Sequence, residues 1–334
     1  MRHLLFTCSF ALFANGASCL AQAPTPLTPQ ISKSVSLSGE QTTVNLILRR
    51  SETPHTLSGD YSVGKGQTLI LEAGANIRCD SGSSLSINKD ARLLCVGTTA
   101  EPIIFFGKKE LPNFWKGLLI SESKEARLRQ VHVFDAETGV TVKSCDFSAE
   151  ECVFAFCGQG LTAINHDKKT ELKECCLSYN LGDGAMMDYC IVDFKYCSFT
   201  HNEKLGVRCN YYASPILRNC LIRWNSEGGI HLNLYENTGS AHGCIFLDNT
   251  DRLAKKAREE GRFEVKNTSG SELDFTGNYW GKKLASNKNE TNHIYIWDSL
   301  DNPECGKVNI AKALDSEPES CGAMRAKTRN KKLK

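Results

Sequence analysis

The residues best suited to chemistry lie in short alternating runs, each of which follows a glycine. After Gly139, Gly160, Gly184, Gly206 and Gly229 come Val140-Thr141-Val142, Leu161-Thr162-Ala163, Ala185-Met186-Met187, Val207-Arg208-Cys209 and Ile230-His231-Leu232. Alternation with period 2 turns one set of side chains inward and the other outward. The first outward column is then Thr141, Thr162, Met186, Arg208 and His231. The next is Lys143, Ile164, Asp188, Asn210 and Asn233, and continued alternation adds Tyr212 and Tyr235. The patch Asp188, Arg208, Asn210, Tyr212, His231, Asn233 and Tyr235 has the chemistry of a sugar site. Aromatic faces accept pyranose rings, amides bond hydroxyls, and a guanidinium pairs with an acidic sugar's carboxylate. The plain alternative is an ordinary polar sheet face. Cleavage of an acidic sugar by elimination needs a base for the C5 proton and a cation at the carboxylate, roles open to His231 and Arg208. A glycosidase needs two carboxylates, and Asp188 has no evident carboxylate partner in the adjacent columns. No HExxH motif, zinc-finger spacing or acidic calcium cluster occurs, so neither metal nor cofactor is expected.

These side chains need elements that repeat. Val131, Cys152, Cys176, Cys197, Cys220 and Cys244 are spaced by 21, 24, 21, 23 and 24 residues. Two residues after each come Val133, Phe154, Ser178, Phe199, Ile222 and Phe246, again period-2 alternation. Asn202, Asn225 and Asn249 fall five residues after their markers, where asparagine can bond turn backbone or ladder with its copies. The recurrent glycine is read as permitting a backbone turn. One such coil cannot bury its own apolar face, whereas stacked coils bury a continuous core. The pattern predicts an all-β, single-stranded right-handed parallel β-helix with N-terminal capping coils. The periods of helical repeats are longer and need helical spacing. Leu69, Ile77, Leu85 and Leu93, each followed two residues later by Leu71, Cys79, Ile87 or Cys95, extend the rhythm toward the N-terminus. Asp251 to Gly261 is charged and rich in helix formers, and it reads as a short inserted helix.

Several segments also resemble a known family. Gly59-Asp60-Tyr61-Ser62-Val63, Gly66-Gln67-Thr68-Leu69, Pro102-Ile103-Ile104-Phe105 and Trp115-Lys116-Gly117 look like the opening coils of bacterial secreted right-handed parallel β-helix repeat proteins. Asp274 to Gly281 resembles their closing NYWG motif. Ile296-Trp297-Asp298, Asp301-Asn302 and Gly306-Lys307-Val308 resemble the segment that follows. The resemblance implies architecture and leaves activity open. It makes Trp115 and Trp280 structural residues.

Composition bounds the rest. A net charge of +2 over 334 residues argues against a broad nucleic-acid-binding field. Met1 to Ala23 reads as a positive n-region, an apolar stretch and an A-x-A-like cleavage site, so the protein is expected outside the cytoplasm. No transmembrane span is expected. The expected organisation is a signal peptide over 1–23, a linker and leading segment over 24–54, the β-helix over 55–285, a closing segment over 286–322 and a basic tail over 323–334. The tail carries six basic residues and no acidic ones, which allows weak contact with an anionic polymer. Of 16 cysteines, those at marker positions are expected as mostly reduced core thiols, because stacked parallel strands give poor disulfide geometry. Cys305 and Cys321 are the disulfide candidate, since a bond there would tie a C-terminal loop. Val153, Leu177, Leu221 and Ile245 form an outward apolar stripe, and the inserted helix or the C-terminal segment is expected to cover it. The sequons at Asn267 and Asn289 matter only if the host glycosylates secreted proteins. The leading functional expectation is a secreted or cell-envelope protein that recognises a polysaccharide or cell-surface glycan without cleaving it. The alternatives are an acidic-polysaccharide lyase and a structural or adhesion protein of the cell surface.

Overall fold

A computed structural model describes residues 31–164, 168–233, 236–249, 263–281 and 295–323. The leader, the segment 251–261 read as an inserted helix, Tyr235, Asn289 and nearly all of the basic tail lie outside these residues. Among the described residues the chain is a parallel β-solenoid, its central coils each contributing one strand to each of three rows. Row one includes Val153–Ala155, Cys176–Ser178, Ser198–Thr200 and Leu221–Arg223. Row two includes Gln159–Ile164, Ala185–Asp188, Leu205–Cys209, Gly228–Leu232, Phe263–Asn267 and Ile296–Trp297. Row three is an 11-stranded sheet running from Asn45–Leu48 to Val308–Asn309. Ser36–Glu40 and Asn45–Leu48 already pair in parallel with His55–Val63 and Thr68–Glu72. The solenoid therefore begins inside the stretch read as linker and leading segment.

In the central coils a single left-handed residue turns the chain at many of the corners. Phe156, Tyr179, His201 and Trp224 follow row one with φ between 55° and 60°. Tyr189 and Tyr212 follow row two at 48° and 50°. The recurrent glycines do something else. A Cβ on Gly160 would sit 2.3 Å from the Gly184 carbonyl, and one on Gly184 would sit 2.6 Å from that of Gly206. These glycines are required for close approach between coils, not for a turn.

The register differs from the sequence reading at one coil. Val153 pairs with Cys176 and Phe154 with Leu177, so Cys175 is the inward marker. Leu177 joins Phe154, Phe199, Ile222 and Phe246 in the core, all fully buried. A slip of one residue exchanges the two faces of a strand. With Cys176 inward, Leu177 would face solvent and Ser178 the core, so burial of leucine decides the register. The same register aligns Asn180 with Asn202, Asn225 and Asn249. Each side-chain amide donates to the next residue's Oδ1 at 2.7 to 2.9 Å, and Asn249 donates to the buried Glu264.

The thiol stack is thus Cys152, Cys175, Cys197, Cys220 and Cys244. The first four donate to Leu128, Ala149, Leu172 and Phe194 carbonyls of the preceding coil at 3.4 to 3.5 Å. No disulfide joins any of the described cysteines. The expected Cys305–Cys321 bond is absent as well, which is a correction. Cys321 is anchored by its Sγ to the Cys220 carbonyl at 2.9 Å, whereas Cys305 lies in the loop closing row two.

The C-terminal segment crosses the outward side of row one at its Ser198 and Leu221 strands. Gly322 N–H donates to the Asn219 carbonyl and Ala323 N–H to Ser198 Oγ, both at 2.8 Å. Ile245 is buried beneath it and Leu221 is half-buried, while Val153 lies partly exposed farther along. Trp115 and Trp280 are core residues, the first donating to the Phe134 carbonyl and the second stacked on Phe246 at 4.7 Å.

Candidate functional face

Row two aligns the outward residues in the order that alternation predicts. Thr162 pairs with Met186, Met186 with Arg208 and Arg208 with His231. Ile164 pairs with Asp188 in the neighbouring column. Asn233 Nδ2 donates to Asn210 Oδ1 at 2.8 Å, so that column continues as an amide ladder. Tyr212 does not extend the strand, which ends at Cys209; it stands on the corner, 51% exposed. Tyr189 and Tyr211 accompany it, also exposed. Their ring centroids lie 5.6 Å apart, and Tyr189 lies 5.9 Å from Tyr212.

Arg208 is already committed within the fold. Arg208 binds the buried Asp183 bidentately, Nε to Oδ2 at 2.7 Å and Nη2 to Oδ1 at 3.0 Å. Asp183 Oδ1 also accepts the Leu205 N–H at 3.0 Å. Arg208 is therefore a loop-fixing residue, and a substrate carboxylate would have to compete with a buried bidentate partner. Burial, then the nearby Lys266 and Arg208 charges, push the His231 pKa down to about 3. Its Nε2 is buried without a hydrogen-bond partner among the described residues. A base so weak is poorly matched to abstracting a proton near neutral pH. Asp188 Oδ1 is likewise buried and without a hydrogen-bond partner there.

Sequence periodicity missed two features. Row two continues past His231 to Lys266 and Trp297, through the pairs His231–Lys266 and Lys266–Trp297. The long insertion before Phe263 hides this spacing, although Phe263 to Asn267 keeps the alternation. The other is an aromatic stack, Phe156, Tyr179, His201 and Trp224, one residue before each asparagine-ladder position or its equivalent. Neighbouring centroids lie 4.7 to 5.3 Å apart. These rings cover one another's faces, so the stack supports the corner and offers edges outward. Asn267 is fully buried, with its amide bonded to the Ser271 and Gly306 carbonyls, so it is no glycan acceptor in the folded protein.

A family model described as "Right handed beta helix region" matches residues 159–280. The match lies within the parallel β-solenoid described above and agrees with its fold. No curated protein and no solved structure matches the chain. The matched span contains Asp188, Arg208, Asn210, Tyr212, His231 and Asn233. No described helix of this β-helix protein is long and apolar enough to cross a membrane.

Proposed function

We propose that the β-helix protein is secreted or held at the cell envelope, and that it recognises a polysaccharide along row two without cleaving it. The observation that carries this reading is the exposed tyrosine group of Tyr189, Tyr211 and Tyr212 beside the Asn210–Asn233 amide ladder. Tyrosine offers apolar ring surface with a polar tip, and paired amides offer both donors and acceptors to hydroxyls. The parallel rungs repeat along one axis, which suits a linear polymer. Parallel β-helices are common among carbohydrate-active proteins, which supports the class of ligand by analogy. The expected localisation rests on the leader-like residues 1–23.

The test is retention of purified protein on a panel of neutral and acidic polysaccharides, with unsaturated product and reducing ends followed in parallel. Retention without cleavage, weakened about tenfold by Tyr212→Ala together with Asn233→Ala, is the expected result. Unsaturated product that vanishes in His231→Ala would make the protein a lyase instead. Silence in every channel would favour a structural or adhesive role.

A further inference from the structure

Row two ends in a feature of different chemistry from the tyrosine and amide group. Lys266 stands outward between His231 and Trp297 on consecutive rungs. Its Nζ lies 6.0 Å from the Phe263 ring centroid and 5.9 Å from that of Trp297. Phe263 is buried and Trp297 half-buried. No carboxylate pairs with Lys266 among the described residues, in contrast to Arg208, which is held by Asp183 at 2.7 Å. His231, the neighbouring rung, contributes no charge near neutral pH, because burial and the Lys266 and Arg208 charges hold it deprotonated. Lys266 is thus the cation of this column whose charge the described fold does not neutralise. An ammonium with no carboxylate opposite it among the described residues leaves a place for an incoming anion.

We propose that Lys266 and Trp297 form a subsite for an acidic sugar unit, with the ammonium pairing with the carboxylate and the indole packing against the ring. This rests on the glycan-binding reading above and specifies its ligand as a polymer carrying uronate groups. It also moves the carboxylate-reading role from Arg208 to Lys266. Adjacent parallel rungs are about 4.8 Å apart, so a single sugar unit reaches both side chains. The Asn210–Asn233 ladder lies on preceding coils, where a chain laid along the axis would continue.

The experiment compares retention on polygalacturonate, alginate and hyaluronan, each against its carboxyl-reduced form, as salt is raised. The native protein is expected to prefer an acidic form about tenfold or more, with the preference shrinking as salt screens it. Lys266→Gln, which keeps most of the side-chain stem, is expected to abolish the preference while retention on the neutral form stays unchanged. Thermal unfolding of this variant should match the native protein, since no described ion pair is lost. Equal retention of acidic and reduced forms, or a preference that survives Lys266→Gln, overturns the subsite and leaves glycan binding standing. Retention of none of the six polymers, nor of any neutral polymer in the wider panel, removes the glycan-binding reading and the subsite with it.

Discussion

His231 shows how a solenoid changes the chemistry of a residue that is ordinary in sequence. On a flat exposed strand it would titrate near 6.5, but stacking between Arg208 and Lys266 buries it and holds its pKa at about 3. The unfolded chain therefore binds a proton that the folded chain refuses between those values. Stability rises with pH through this window: the contribution is fully present above about 6.5 and is lost as pH falls toward 3. Denaturant titrations from pH 7 to pH 4 are expected to show a shallower loss in His231→Leu than in the native protein. Equal slopes would mean that His231 titrates normally in the fold.

At the scale of the element, the coil containing Cys175 and Cys176 decides the register by what it buries. Leu177 is fully buried beside Phe154 and Phe199, while Cys176 faces outward beneath neighbouring chain. Leu177→Ala is expected to cost about 2–5 kcal/mol, and Cys176→Ala about 1 kcal/mol or less. Chemical denaturation of the two variants checks the order, and the reverse order would restore Cys176 as the inward residue. The asparagine ladder reinforces the same choice. Asn202 Nδ2 bonds both the Leu177 carbonyl and Asn225 Oδ1, so a slipped coil would break polar contacts as well as expose leucine.

The whole molecule is completed by a segment far from the rows it covers. Glu317 reaches Arg223 at 3.7 Å, and residues 321–323 cross row one at Leu221 and Ser198. Parallel coils satisfy their own backbone, but their outward apolar side chains need another cover. A chain ending at Asp315 is expected to bind more of a hydrophobic dye and to associate at lower concentration than the full chain. Its far-ultraviolet circular dichroism should be unchanged, because the coils do not depend on the strap for pairing. Unchanged dye binding would show that Leu221 and Ile245 are covered by something else.

The sequence alone determined the solenoid, because every coil must place apolar side chains at the same inward positions. The spacing of Cys152, Cys197, Cys220 and Cys244 and the outward columns through Arg208 and His231 follow from that repetition. Of the expected outward apolar stripe, Leu221 and Ile245 lie by the C-terminal segment, whereas Leu177 turns into the core and Val153 stays partly exposed. Local alternation could not choose between two adjacent cysteines; only stacking on Phe154 and Phe199 made that choice. Nor could it assign the glycines to close approach, which is a property of the next coil's carbonyl. The largest change was in the chemistry. Arg208 and His231 are cation and base as residue types, but in the fold Arg208 is paired with the Asp183 carboxylate and His231 is buried between two charges. Lys266 and Trp297 entered the same column only when the fold brought together rungs that a long insertion separates in sequence.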